Sequence, residues 1–241
     1  IAVPAYEQSS DQEVAFQAVD YILRVLKKNM VFGMTWGRAM HEFVEQLAKD
    51  ERLRSLSFQN VKVVPFLGTP GAIQSDSWNT TTYSNTLATK VGNLLHCASY
   101  NLSAPMYVEG TKEKELIESI DEIAKVLHMA ETADIALIGI GSMQDDSSII
   151  KAEIRTKEEY KELVRKGAVG EIVGRIYDKN GQTVDEDLKR KMVGISLDKI
   201  AKIPVRVGMS YGKDKIEAIK GAIAGGLVNV LVTDVPTAEL L

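Results

Sequence analysis

The chain has 241 residues, 45% hydrophobic and 26% charged, with a formal net charge of −4; that suffices for a sizeable α/β core and does not suggest a basic nucleic-acid-binding surface. A single cysteine, Cys97, excludes an internal disulfide and fits a reducing, cytoplasmic setting. No apolar run approaches the roughly 20 residues of a membrane span, so no membrane partner is expected. The start, Ile1-Ala2-Val3-Pro4, lacks the basic region and apolar core of a signal peptide. A natural chain would begin with Met, so the sequence reads as a fragment whose function depends partly on an upstream segment.

In chain order, Ile1–Ala5 reads as a short strand. Val14–Leu26 carries Val14, Ala18, Tyr21, Ile22, Val25 and Leu26 at helical spacing, and Lys27-Lys28-Asn29 ends it. Met30–Met34 is a strand and Arg38–Ala48 a helix. Val61–Leu67 is the next strand, followed by Gly68-Thr69-Pro70-Gly71 and a polar loop, Gln74–Thr82. Asn85–Leu95 resumes helical periodicity, Ala104–Val108 is a short strand, and Lys114–Met129 carries two or more apolar-faced helical turns. Ile135–Ile140 is a continuous apolar run, as a buried parallel strand should be. Lys157–Lys166 is a charged helix. Gly167–Asp178 is a glycine-spaced apolar segment leading into the turn Asp178–Gly181. Val193–Ile195 and Val205–Met209 are strands, Lys213–Ala224 a helix, Val228–Thr233 the last strand, and Pro236–Leu241 opens a final helix. This alternation predicts an α/β fold: a doubly wound, mostly parallel sheet with helices on both faces, and a small irregular subdomain over residues 143–200. In such sheets ligands bind beyond the carboxyl ends of the strands.

Several predicted strand ends carry glycine or hydroxyl turns: Val31–Gly37, Gly68–Gly71, Gly139–Ser142 and Ser210-Tyr211-Gly212, the last just before Lys213 and Lys215. A strand–turn–helix aims backbone N–H groups and a helix N-terminus at one spot, which favours an anion, usually a phosphate. Singly, each is also what a tight βα turn requires; together they predict a shared anion site. Lys215, in a first helical turn, opposes the helix dipole, so it meets either a phosphate or solvent. Glu171 stands among the small and apolar residues Gly167–Ile172, where an acid is either paired or holds a ligand hydroxyl. Trp36 either stacks on a sugar ring or fills the core. Asp178 reads as an Asx turn and Asp234 as a helix cap. Lys213-Asp214 looks like a surface pair, and the Asp145-Asp146 and Asp185–Asp187 clusters read as solvated loop acids. His41, His96 and His128 lack metal-ligand spacing, and no serine sits in a Gly-x-Ser-x-Gly elbow, so neither a metal site nor a cofactor is expected.

Val-Phe-Gly-Met-Thr-Trp-Gly-Arg (31–38) resembles the Ile-Gly-x-Ser-Trp-Gly turn of SorC-type (SorC/DeoR) bacterial transcriptional regulators. Residues 133–142, Ala-Asp-Ile-Ala-Leu-Ile-Gly-Ile-Gly-Ser, resemble their central strand. Gly167–Gly170 with the following acid, and Ile176-Tyr177-Asp178-x-x-Gly181, resemble their "GAVG…FD..G" block; Lys213–Ala218 and Val228–Asp234 resemble their C-terminal helix and strand. The match runs in order over nearly the whole chain. It implies that residues 1–241 are a C-terminal effector-binding domain, not an enzyme, with a fold similar to phosphosugar isomerases and glucosamine-6-phosphate deaminase. It further implies an upstream helix-turn-helix domain that binds operator DNA, a homodimer or homotetramer, and a sugar or phosphorylated sugar effector that alters DNA affinity or assembly.

By position, the resemblance assigns Thr35, Trp36 and Gly37 to the pocket wall, Gly68 and Thr69 to a site where the family has two glycines, and Asn85 to the helix that follows. Gly139, Gly141 and Ser142 would line the central strand end, Glu171 would meet sugar hydroxyls, and Lys215 the phosphate. Two departures stand out: the Gly68–Gly71 loop is longer than the usual glycine pair, and Ser210-Tyr211-Gly212 replaces an Ala-Gly-Gly turn, setting a bulky tyrosine near the expected phosphate. The competing reading on this fold is a phosphosugar isomerase or deaminase with Glu171 as its acid or base.

Overall fold

The computed structural model describes residues 1–3, 10–70, 80–145 and 147–241. Pro4 and Ala5, Gly71, most of the polar loop Gln74–Thr82, and Asp146 lie outside the described residues.

The strands are β1 (Ala2–Val3), β2 (Val31–Met34), β3 (Lys62–Pro65), β4 (Ala98–Ser99), β5 (Ile135–Gly139), β6 (Gly141–Ser142), β7 (Ala168–Ile172), β8 (Arg175–Asp178), β9 (Val205–Met209) and β10 (Val230–Asp234). The α-helices are α1 (Ser10–Val25), α2 (Arg38–Leu47), α3 (Ser84–Leu94), α4 (Thr111–Glu118), α5 (Asp121–Glu131), α6 (Ser148–Lys151), α7 (Lys157–Arg165), α8 (Glu186–Lys191), α9 (Leu197–Ile200), α10 (Ile216–Ala224) and α11 (Val235–Ala238). Seven strands form one sheet in the order β1-β10-β9-β5-β2-β3-β4, and its pairings are parallel. The expected doubly wound α/β architecture is what the chain adopts.

Strand alternation explains why both faces are covered. In β5, Ile135 and Leu137 join one core with Phe32, Met34, Val63 and the apolar faces of α1, α2 and α3. Ala136 and Ile138 point the other way, into a core with Val64, Phe66, the hairpin residues Ile172 and Ile176, and Ala218, Ile219 and Ala222 of α10. Gly33, between Phe32 and Met34, faces that second core, and the ring of Phe66 lies directly over it: a Cβ built on Gly33 would stand 1.9 Å from a Phe66 ring carbon.

The irregular region is an antiparallel three-stranded sheet, β6-β7-β8, with short helices around it. The β7–β8 hairpin closes through Val173 and Gly174, at φ 54° and 68°, the paired positive φ of a two-residue hairpin turn. The Tyr177 hydroxyl donates to Ala218 O at 2.8 Å and fastens the hairpin to α10. Arg155, buried, bonds Asp185 at 2.9 Å and Asp187 at 3.0 Å. Of the Asp185–Asp187 cluster, expected to be solvated, buried Asp185 is instead an internal anchor that also caps α8 by accepting from Leu188 N, while Glu186 and Asp187 remain open to solvent.

Other local expectations shift for physical reasons. Lys114–Met129 is two helices broken at Ser119-Ile120: α5 lays Ile123, Val126 and Ala130 inward, whereas α4 buries none of its residues and sits outside. Ala104–Val108 makes only isolated bridges, Thr69 to Pro105 and Tyr107 to Met192, since a proline cannot donate to a ladder. Val193–Ile195 likewise contributes a single bridge, Gly194 to Leu67. The short edge strand β4 has no apolar run to announce it. The last helix is one turn, and the helix at 213 opens as a 3-10 turn, Lys213–Lys215, before α10.

Gly33→Ala should destabilise the chain by about 1–3 kcal/mol in urea unfolding, because the added methyl overpacks a filled core. Pairing it with Phe66→Leu should recover part of that loss relative to the sum of the single variants.

Candidate functional site

The chain leaves β2 towards β3 and β4, and leaves β5 in the opposite direction towards β9 and β10. The neighbours β2 and β5 therefore mark the switch point, where the loops after the strands diverge and open a crevice. Two hydrogen bonds stitch these strand ends: Thr35 N donates to Leu137 O at 3.1 Å, and Gly139 N donates to Thr35 Oγ1 at 3.0 Å. Thr35 is 1% exposed, so its hydroxyl serves the crevice floor. Gly37, at φ 107°, starts α2 and donates its N–H to Thr82 O at 3.0 Å.

The hairpin roofs this crevice. Glu171, in β7, pairs with Gly141, and a Cβ on Gly141 would lie 2.9 Å from Glu171 Oε2, so the glycine permits the close approach. Gly174 N donates to Glu171 Oε1. Trp36, buried, hydrogen-bonds the same carboxyl; its indole thus fills core and positions Glu171 together. Burial pushes the Glu171 carboxyl up to about 7, against the opposing pull of the Gly174 N–H, Lys215 and the Trp36 contact.

Lys215 ends the 3-10 turn that leads into α10. Its Nζ donates to Ser142 Oγ at 2.8 Å, Ser142 Oγ donates to Asp214 Oδ2 at 3.2 Å, and Lys215 Nζ lies 3.5 Å from the same oxygen. Asp214 therefore engages Ser142 and Lys215, not the surface pair with Lys213 expected from adjacency.

Contacts thus bring together Thr35, Trp36, Gly139, Gly141, Ser142, Glu171 and Lys215. Gly68, Thr69 and Asn85 form a separate knot beyond β3. Gly68 N donates to Val193 O, and Asn85 Nδ2 donates to Thr69 Oγ1 at 2.8 Å and to Leu102 O at 3.0 Å, while Asn85 Oδ1 accepts from Leu102 N. In this arrangement Asn85 splints the loop after β3. Tyr211 packs on the α1–α2 face and hydrogen-bonds Asp11, whereas Glu171 and the hairpin lie over the opposite face; burial and Asp11 raise its phenol well above the usual range. Asp178 Oδ1 accepts from Asn180 N and Gln182 N, the expected Asx turn, and Asp234 caps α11 through Thr237 N.

Sequence reasoning passed over Arg175. It is 2% exposed and donates from Nη2 to Met192 O and Gly194 O, both at 3.1 Å. Burial lowers its guanidinium to about 10, opposed by the charges of Glu118 and Glu171. A lone arginine inside the apolar hairpin was the available signal. Away from that crevice, where the chain runs from α2 towards β3 and from α3 towards β4, a cavity of about 330 Å³ lies between the carboxyl ends of α2 and α3, lined by Lys49, Asp50, Arg54 and His96 among others; none of the strand-end groups lines it.

The sugar-binding domain family (Sugar-bind) matches residues 1–241. The sorbitol operon regulator of Klebsiella pneumoniae is 30% identical over 220 residues, 90% of this chain and 66% of that protein. The transcriptional regulator LsrR of Escherichia coli O157:H7 is 30% identical over 228 residues, 93% of this chain and 66% of that protein. This chain therefore spans just under two thirds of the length of these curated relatives. Among solved structures, the full-length sorbitol operon regulator SorC of Klebsiella pneumoniae superposes with a TM-score of 0.88 at 26% identity, covering 99% of this chain and 74% of that one. A sor operon regulator from Shigella flexneri gives 0.87 at 25% identity, covering 100% and 92%. The chain belongs to the sugar-binding domain family of SorC-type (SorC/DeoR) transcriptional regulators.

Proposed function

We propose that this chain senses a sugar or sugar phosphate at the β2/β5 crevice and thereby modulates operator binding by an upstream DNA-binding domain, through the assembly of a homodimer or homotetramer. The observation that carries this reading is that Lys215, bonded to Ser142, and the buried carboxyl Glu171, paired with Gly141, converge just beyond the carboxyl end of β5, close enough for the ammonium to act on the carboxyl. Glu171 would accept from ring or chain hydroxyls, and Lys215 with Ser142 would meet a phosphoryl oxygen. Trp36, Gly139 and Gly141 would shape the walls, Thr35 and Gly37 would hold them, and Gly68, Thr69 and Asn85 would border the mouth. The match to the sugar-binding domain family supports a sugar ligand, and the sorbitol operon and LsrR relatives support a regulator. A ligand that prefers one assembly state by tenfold biases the equilibrium by about 1.4 kcal/mol per site.

The same carboxyl favours one other reading. A group titrating near 7 suits general base catalysis on a phosphosugar. Incubation with aldose and ketose phosphates separates the two: turnover that Glu171→Gln abolishes makes the chain an enzyme, whereas saturable binding without turnover supports the sensor.

A thermal-shift panel of sugars and their phosphates should raise the melting temperature with at least one compound, because a ligand of the folded state stabilises it. For that compound, Lys215→Ala should weaken calorimetric affinity tenfold or more while leaving the unliganded melting temperature nearly unchanged; unchanged affinity removes Lys215 from the site. Glu171 makes a separate expectation about pH. Its carboxyl titrates near 7 when folded against an ordinary glutamate value of 4.5 in the unfolded chain, so the folded chain holds more protons between those values and this contribution to stability falls as pH rises from 4.5 to 7. The decline should amount to about 3 kcal/mol. Urea unfolding at pH 5 and pH 8 should show it, and Glu171→Gln should flatten it.

A further inference from the structure

We propose that Asp214 is a built-in competitor for the anion position of the pocket: its carboxylate occupies the place beside Ser142 and Lys215 that a ligand phosphoryl oxygen takes on binding. This rests on the reading of Lys215 and Ser142 as anion contacts.

Three observations carry it. Asp214 Oδ2 accepts from Ser142 Oγ at 3.2 Å and stands 3.5 Å from Lys215 Nζ, so one carboxylate oxygen already engages both groups that would receive a phosphoryl oxygen. The hydroxyl between them is buried, and its orientation is set from both sides, accepting from Lys215 at 2.8 Å while donating to Asp214. The local backbone is shaped to bring the carboxylate there. Gly212 adopts φ 103°, and a Cβ on it would lie 2.9 Å from Asp214 Oδ1, so a side chain at 212 would crowd the folded-back carboxylate.

The contact is also one that can open. The Asp214 side chain is 50% exposed, whereas that of Lys215 is 23% exposed; rotating Asp214 outward moves its charge into water and leaves the ammonium in place. A pair this exposed is weak, and a phosphate dianion brings more charge and more acceptor oxygens than a carboxylate. An uncharged sugar has no means to displace it. Asp214 thus raises the threshold for anionic ligands and sets selectivity between those that carry enough charge to evict it and those that do not.

The test is calorimetric titration of inorganic phosphate at constant ionic strength into the wild type, Asp214→Asn and Lys215→Ala, with melting temperatures recorded to confirm folding. Asp214→Asn preserves shape and a hydrogen-bonding oxygen but removes the charge. It should bind phosphate roughly three- to tenfold more tightly than wild type, and Lys215→Ala should lose binding. If Asp214→Asn binds phosphate no better, or worse, while Lys215→Ala still weakens it, Asp214 is not a competitor and the proposal is overturned, with the anion site standing. If phosphate binds none of the three, or binds all three alike, the reading of Lys215 as an anion contact fails and takes the proposal with it.

Discussion

A parallel strand buries both of its faces, and covering them organises this chain. The β5 run Ile135–Ile138 has no polar side to offer water. Helices α1, α2 and α3 close one face with a core of Val, Leu, Phe and Met. The other face is closed by α5, α10 and the small antiparallel sheet together. That division gives the subdomain its purpose. It is a cover for the second face, held by the Tyr177 hydroxyl on α10 and by buried Arg155 between Asp185 and Asp187.

The cover also makes the site. A sheet wound outward from β2 and β5 leaves a crevice where they meet, but backbone N–H groups and a few hydroxyls alone would make a generic anion seat. The β7–β8 hairpin brings Glu171 over that crevice at the cost of burying a carboxyl, and Gly141, Gly174 and Trp36 each accommodate or bond it. Across from it, the turn after β9 delivers Lys215 and Asp214 to Ser142. The proposed pocket thus draws on groups from distant parts of the chain: the buried Glu171 carboxyl on one side and, on the other, a cation held by a hydroxyl and a second carboxylate.

Much of the architecture was legible because periodicity is local. A continuous apolar run marked β5, the short Val205–Met209 segment reads as the strand it is, and helical spacing marked α1, α2, α3 and α10 to within a few residues. Legibility failed where the deciding contacts are remote. Nothing near Leu116–Ile120 says that one helix must break, since the break serves to lay α5 on the sheet. Ala104–Val108 has strand composition, yet Pro105 limits it to isolated bridges. For the candidate site, spacing could not separate the glycine and hydroxyl turns whose residues meet, such as Gly141 and Ser142, from those such as Thr69 and Asn85 that splint a neighbouring loop.

The sequence by itself determined the α/β alternation and the parallel character of the central strands, because each depends on residues close together in the chain, and it determined the family, because its motifs recur in order along the chain. Only the tertiary structure decided what those residues face. Trp36, equivocal between core and ligand, is buried and bonds Glu171; Tyr211 turns to Asp11 on the α1–α2 face; Asp214 leaves Lys213 for Ser142 and Lys215. Burial, and therefore the near-neutral titration of Glu171 and the lowered guanidinium of Arg175, arises when segments far apart in sequence exclude water from the same spot, and no local pattern encodes that.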